Sequence, residues 1–200
     1  MTSVNVAVVY YSSTGTNYQL AQAAEQAAKE AGAEVRLRRV SELAPQAAID
    51  SNPAWKTHYE ATKDLIPVAT LEDLEWADTF IFSAPTRFGN MPSQMKQFFD
   101  LVGPLWAQGK LANKVVTAMS SAQNPHGGQE ATILSMYTTM YHWGAIVVAP
   151  GYTNPAVFSA GGNPYGTTAT MNSATVEEPV LAAARHQSKR AVEIAQKLKG

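Results

Sequence analysis

Apolar runs of strand length recur at Val4 to Tyr11, Ala33 to Arg39, Thr79 to Ser83, Lys114 to Ser120 and Ala145 to Ala149, with helix-spaced segments between them. Several are continuous instead of alternating, which is how strands covered on both faces read. Leu20, Ala24, Ala27 and Ala31 form one helical stripe, Met95, Phe98, Phe99 and Val102 a second, Ile133, Met136, Met140 and Trp143 a third. Ala184, Ala191, Ala195 and Leu198 mark a last helix, and the helix before Thr79 has only a weak stripe. Strands that alternate with helices imply parallel pairing through right-handed crossovers. At 200 residues, with no visible boundary or repeat, the expectation is one α/β domain over residues 1–200.

Two stretches break the alternation. Residues 44–70 and 150–176 carry scattered Pro, Asn and Thr and read as long loops. Loops of that length in a compact domain usually build a functional wall or an assembly surface.

Charge excludes several classes. A net charge of −1, from 15 basic and 16 acidic residues, leaves no excess of basic surface for a nucleic-acid backbone. With no cysteine, disulfide frameworks, thiolate catalysis and Cys-ligated zinc are ruled out. The four histidines lack metal-ligand spacing, so no metal is expected. The N-terminal apolar run has no basic lead and is too short for a membrane span, so a cytoplasmic protein is expected.

In an open parallel sheet, ligands bind beyond the carboxyl ends of the strands. Three segments lie on that edge: "SSTGTN" after the first strand, "APTRFGNMP" after the third and "SSAQNPHGGQE" after the fourth. In the first, Ser12, Ser13, Thr14 and Thr16 surround Gly15 where a helix begins. Unpartnered backbone N–H groups and the helix dipole gather there, so an anion is held without lysine. Hydrogen bonds to a charged group contribute about 1.5–3 kcal/mol each, enough for four or five to retain a phosphate monoester. The alternative is a plain N-cap. A P-loop needs G-x-x-x-x-G-K-[ST] and the dinucleotide fingerprint G-x-G-x-x-G, and neither follows the first strand. A phospho-acceptor domain needs acids where Tyr10 and Tyr11 stand.

"SSTGTN" resembles the phosphate loop of flavodoxins. "PTRFGNMPSQMKQFFDLVGPLWAQGKLANK", "GGQEATI" and "GTT" resemble the WrbA-type NAD(P)H:quinone oxidoreductases over nearly the whole chain. The resemblance implies a flavodoxin-like three-layer α/β sandwich with a five-stranded parallel sheet of order 2-1-3-4-5. It implies FMN as cofactor and NADH or NADPH as reductant. Ser12, Ser13, Thr14, Gly15, Thr16 and Asn17 would then hold the FMN phosphate and ribityl chain. Pro85, Thr86, Arg87, Phe88, Gly89 and Asn90 would follow one edge and face of the isoalloxazine, with Ser121, Ala122, Gln123, Asn124 and Gly127 closing the other side. His142 matches a family histidine near the flavin, and Trp106 a residue of the substrate pocket; family members are homotetramers whose neighbouring chains complete that pocket. Thr14 stands where many members have a tyrosine.

No paired carboxylates or triad elements occur in the three loops, so no protein acid or base is expected to be catalytic and the chemistry falls to the flavin. The implied reaction is two-electron reduction of quinones, hydride passing through flavin N5 in a ping-pong cycle. The alternatives are a one-electron flavodoxin-type carrier and a non-catalytic FMN-binding regulatory module. Such carriers are strongly acidic, and this chain is nearly neutral.

Overall fold

A computed structural model describes residues 3–171 and 175–200. The elements run β1 (Asn5–Tyr10), α1 (Thr16–Glu30), β2 (Glu34–Arg39), α2 (Gln46–Asp50), α3 (Pro53–Thr62), α4 (Leu71–Trp76), β3 (Thr79–Pro85), α5 (Ser93–Leu101), α6 (Gly103–Ala107), β4 (Val115–Ala122), α7 (Gln129–His142), β5 (Ile146–Val147), α8 (Pro155–Ser159), β6 (Thr168–Thr170) and α9 (Glu178–Lys199). The strands pair in parallel in the order β2-β1-β3-β4-β5, as expected, and β6 adds a sixth, short strand against β4.

Both faces of the central strands are covered, so successive side chains are buried alternately to either side. Ala7, Val9 and Tyr11 face one core with Phe80, Phe82, Met95, Phe99 and Trp143; Val6, Val8 and Tyr10 face the other with Leu20, Ala24, Ala184 and Ala191. The small residues of α1 and α9 allow those two helices to pack against one another on a single face. On β2, at the sheet edge, Arg36 and Arg38 instead turn toward Asp73 of α4 at 3.1 and 3.0 Å. The weakly signalled helix before β3 is α4. It begins with a reciprocal capping box between Thr70 and Asp73.

Residues 44–70 are not a plain loop. They carry α2 and α3, the latter started by Asn52, whose side-chain oxygen accepts from Ala54 and Trp55 N–H, and by Pro53 in the first turn.

The fifth lane of the sheet departs from expectation in another way. Only Ile146–Val147 of the expected run Ala145 to Ala149 is strand, paired with Val115 and Val116; β6 resumes the lane opposite Ser120 to Ala122. The expected loop at 150–176 therefore carries α8 in the part that divides the lane, before β6, and then β6 itself, while 172–174 lie outside the described residues. The gap is closed by side chains. Gln187 of α9, fully buried, donates to Ala118 O at 2.9 Å and to Thr117 Oγ1 at 2.6 Å, and accepts from Thr167 N at 2.7 Å. The Tyr137 hydroxyl accepts from Ala118 N at 3.1 Å and donates to Tyr165 O at 2.8 Å.

Candidate functional site

The carboxyl ends of β1, β3 and β4 open onto a cavity of about 810 Å³. Ser12, Ser13, Thr14, Thr16 and Asn17 line it from the first loop, Pro85 to Phe88 from the second, and Ser121 to Asn124 with Gly127 from the third. The three segments singled out in the sequence thus converge on one space. Of the loop residues assigned to the cofactor, Gly15, Gly89 and Asn90 belong to the same loops but not to the lining.

The first loop presents donors. Among the described residues no side chain caps α1, whose N-cap is Gly15 in the left-handed conformation at φ 101°. Ser12 Oγ accepts from Gly15 N at 3.0 Å, which leaves the N–H groups of the first helical turn without a side-chain acceptor. Thr16 Oγ1 contacts the sulfur of Met171. Asn17 is buried and acts as a clamp: its amide nitrogen donates to Ser83 Oγ at 3.1 Å, and its amide oxygen accepts from Ser121 Oγ at 2.6 Å. One side chain therefore ties the ends of β3 and β4 to the start of α1.

The second loop is a tight reversal. Arg87 and Asn90 exchange backbone hydrogen bonds at 2.7 and 3.0 Å, and the two residues between them, Phe88 and Gly89, both have positive φ, at 52° and 78°. This is the backbone of a type I′ turn. A phenylalanine there is strained, and the turn holds its ring fully exposed at the rim of the cavity. Thr86 Oγ1 accepts from Gly89 N at 3.1 Å and Thr132 Oγ1 at 2.8 Å, fixing the turn against α7.

The third loop packs closely at two glycines, Gly128 against the second loop and Gly127 against the end of β4. A Cβ on Gly128 would meet Gly89 Cα at 2.8 Å, and one on Gly127 would meet Ala122 Cβ at 2.3 Å. Gly128 also adopts φ 90° as the N-cap of α7. Neither close approach tolerates a larger residue.

Among the described residues, Arg87 is the only formally charged one on the wall, and no carboxylate lines it. Its Nη2 donates to Ser13 Oγ at 2.8 Å and its Nη1 to Thr86 O at 2.9 Å, so no surface acid claims it. Such a lining suits a ligand with one anionic end and a planar, hydrogen-bonding body.

Sequence reasoning missed Asn52, Trp55 and Met171, which also line the cavity. The first two are the N-cap of α3 and a residue of its first turn. Trp55 Nε1 donates to Glu42 at 3.3 Å, and the same carboxylate accepts from Tyr11 OH at 2.9 Å and Gln94 Nε2 at 2.6 Å. Burial pushes the Tyr11 phenol above its ordinary range, so it stays protonated and donates to Glu42. The Asn-Pro pair at 52–53 was the available signal for α3, but nothing in the sequence aims its tryptophan inward.

His142 and Trp106 do not join this set. They sit at the far end of α7 and on α6, where Trp106 Nε1 donates to His142 O at 2.9 Å. Trp106 is 57% exposed, so it does not belong to the core.

A model of the family described as NADPH-dependent FMN reductase matches residues 4–158. The chain is 53% identical over 197 residues to a protein of Deinococcus radiodurans named NAD(P)H dehydrogenase (quinone), with 98% of each covered. It is 42% identical over 202 residues to a protein of the same name from Methylocella silvestris, again with 98% of each covered. Among solved structures it resembles the flavodoxin, WrbA-like protein from Agrobacterium tumefaciens at a TM-score of 0.69 and 21% identity, covering 97% of this chain and 98% of that one. It also resembles a flavodoxin from the domain Archaea at a TM-score of 0.60 and 18% identity, covering 98% and 99%. These last two likenesses concern the fold.

Proposed function

The chain belongs to the NADPH-dependent FMN reductase family, among the WrbA-type NAD(P)H:quinone oxidoreductases, and on that footing we propose that it reduces quinones by two electrons from NADH or NADPH with FMN as cofactor. The supporting observation is the cavity itself: hydroxyls and free N–H groups at the start of α1, one arginine, an aromatic rim and no acid. That donor set fits a phosphorylated flavin.

The residues divide the work. Ser12 to Asn17 hold the phosphate and ribityl chain, by hydroxyls and helix N–H groups where the side chains are free and by the Asn17 clamp where they are not. Pro85 to Asn90 follow one edge and face of the isoalloxazine, and Ser121 to Asn124 with Gly127 close the other side. Arg87, held near the ring edge by Ser13, favours negative charge there. When bound, FMN supplies hydride acceptance and donation at N5. No side chain is required as catalytic acid or base.

Reductant and quinone use one open slot in turn, which makes the cycle ping-pong. Trp106 and His142 lie apart from their own chain's cavity, which supports a homotetramer in which a neighbouring copy brings them to the substrate side. We place the protein in the cytoplasm, as a single domain without nucleic-acid or membrane partners. Among the described residues, no helix is long and apolar enough to cross a membrane.

Initial velocities of the FMN-loaded protein, with NADH and benzoquinone both varied, test the cycle. Parallel double-reciprocal lines are expected. Intersecting lines contradict the single-slot cycle.

A further inference from the structure

His58 of α3 lies outside the cavity lining, yet its ring packs against the phosphate loop. Its Nδ1 is 3.5 Å from where a Cβ on Gly15 would stand, and its ring centroid is 5.5 Å from that of Tyr18. Gly15 is the N-cap of α1, so the imidazole abuts the residue at which the unpartnered N–H groups begin.

The groups facing His58 give its ring no ion pair. It shares a small pocket with Tyr10 and Tyr11 of β1 and the segment after it, Arg39 of β2, Glu42 of the following segment and Tyr59 of α3; Tyr18 of α1 completes the surround. The Glu42 carboxylate is committed to Tyr11, Trp55, Gln94 and the N–H groups of Leu43 and Ala44. Arg39 is a cation, held by the carbonyls of Ile66 and Lys63. Among the described residues, no hydrogen bond or ion pair reaches either ring nitrogen of His58. Burial pushes its pKa below the ordinary histidine value, so the free protein carries it neutral at pH 7. The loop's own hydroxyls and N–H groups do not change charge, whereas His58 does.

We propose that His58 takes up a proton when a phosphate dianion occupies the Ser12–Asn17 loop, making FMN binding proton-linked. This rests on the reading of that loop as the FMN phosphate site. The proton comes from solvent and stays on the imidazole, and no bond to the flavin is made or broken. The dianion is the partner that the surround lacks. His58 acts through space from behind the loop, as a binding residue of α3, which gives residues 53–62 a task beyond forming a wall.

An opposite charge nearby raises a histidine pKa by about 1–3 units. The histidine's favourable contribution is therefore fully present below its free-state pKa and lost as pH rises through its bound-state pKa.

Calorimetric titration of the apoprotein with FMN, in buffers of different ionisation enthalpy near pH ~7.5, counts the protons directly. A free phosphate monoester, with a second pKa of about 6, has few protons left to release there. The expected result is uptake of about half a proton per FMN, and none with riboflavin, which lacks the phosphate. His58→Gln is expected to abolish the uptake and weaken FMN about threefold to fourfold at pH ~7, leaving riboflavin affinity unchanged. FMN binding without net uptake in the unaltered protein overturns the proposal, as does equal uptake with riboflavin. The FMN-against-riboflavin comparison needs no variant, so it decides even if His58→Gln does not fold. A chain that bound no FMN at all would instead overturn the cofactor reading on which the proposal rests.

Discussion

Arg87 Nη2 donates to Ser13 Oγ at 2.8 Å, so the one cation of the cavity bridges the second loop to the first. Replacing it removes the bridge and the positive charge together. Arg87→Ala is expected to weaken FMN binding by roughly tenfold or more, the worth of one charged hydrogen bond. It should also make the two-electron potential of the bound flavin more negative, because the anionic reduced ring loses its stabilising neighbour. Spectroelectrochemistry of the loaded variant checks this. An unchanged potential removes Arg87 from that role.

Phe88 at φ 52° is a strained residue with a fully exposed ring. Asparagine accepts left-handed backbone more readily. Phe88→Asn is expected to raise the unfolding free energy of the apoprotein by about 1 kcal/mol and to weaken FMN binding. Urea denaturation and flavin fluorescence titration, run on the same preparation, separate the two effects. A variant that is less stable, or that binds FMN as tightly, contradicts the assignment of the strain to function.

Gly128 touches Gly89 where the second and third loops meet. Gly128→Ala puts a Cβ 2.8 Å from Gly89 Cα and forces alanine into φ 90°. The expected cost exceeds about 1 kcal/mol of stability, and FMN affinity falls because the turn carrying Phe88 is displaced. Thermal denaturation with and without FMN measures both. Gly32 has φ 85° and nothing near its Cβ position, so Gly32→Ala carries the backbone strain without the displacement and should leave FMN affinity unchanged.

Gln187 replaces strand residues in the divided fifth lane. Gln187→Leu leaves Ala118 O and Thr167 N without their buried partners. A loss of about 2–4 kcal/mol is expected by chemical denaturation, from two orphaned backbone groups. A loss under about 1 kcal/mol would mean that water or backbone movement satisfies them.

Asp73 supplies the pH dependence. Burial pulls its pKa up, but hydrogen bonds from Arg38, from Thr70 and from Arg36 outweigh burial and hold the carboxyl below the usual carboxylate range. A depressed carboxylate stabilises the fold above its unfolded pKa of about 3.9, and that stabilisation is lost as pH falls through the folded value. Asp73→Asn should cost about 2–3 kcal/mol at neutral pH, somewhat less than a fully buried pair, since both arginines are partly exposed. Urea denaturation across the acid range checks the sign. The gap between wild type and variant must narrow below pH ~4.

The sequence carried most of what periodicity can express. β1, β3 and β4 were legible because they are buried on both faces and so read as unbroken apolar runs. The three loops were legible because parallel topology places all of them at the same edge. α3 was not, because its Asn-Pro start sits in a stretch with little helical periodicity and few buried residues. The division of the fifth lane was hidden for a different reason: β6 is three residues long and is held in place by Gln187, far away in the chain. Trp55 and His58 reach the site through long-range packing, to which local pattern is blind. Trp106 and His142 were picked out by resemblance alone, and within one chain they meet each other instead of the cavity.

The most direct measurement is the visible absorption of the FMN-reconstituted protein under anaerobic addition of NADH, followed by benzoquinone. Complete bleaching without a radical band, and full recovery on adding the quinone, is the predicted result. A persistent radical band, or a flavin that NADH leaves oxidised, would contradict two-electron quinone reduction at this cavity.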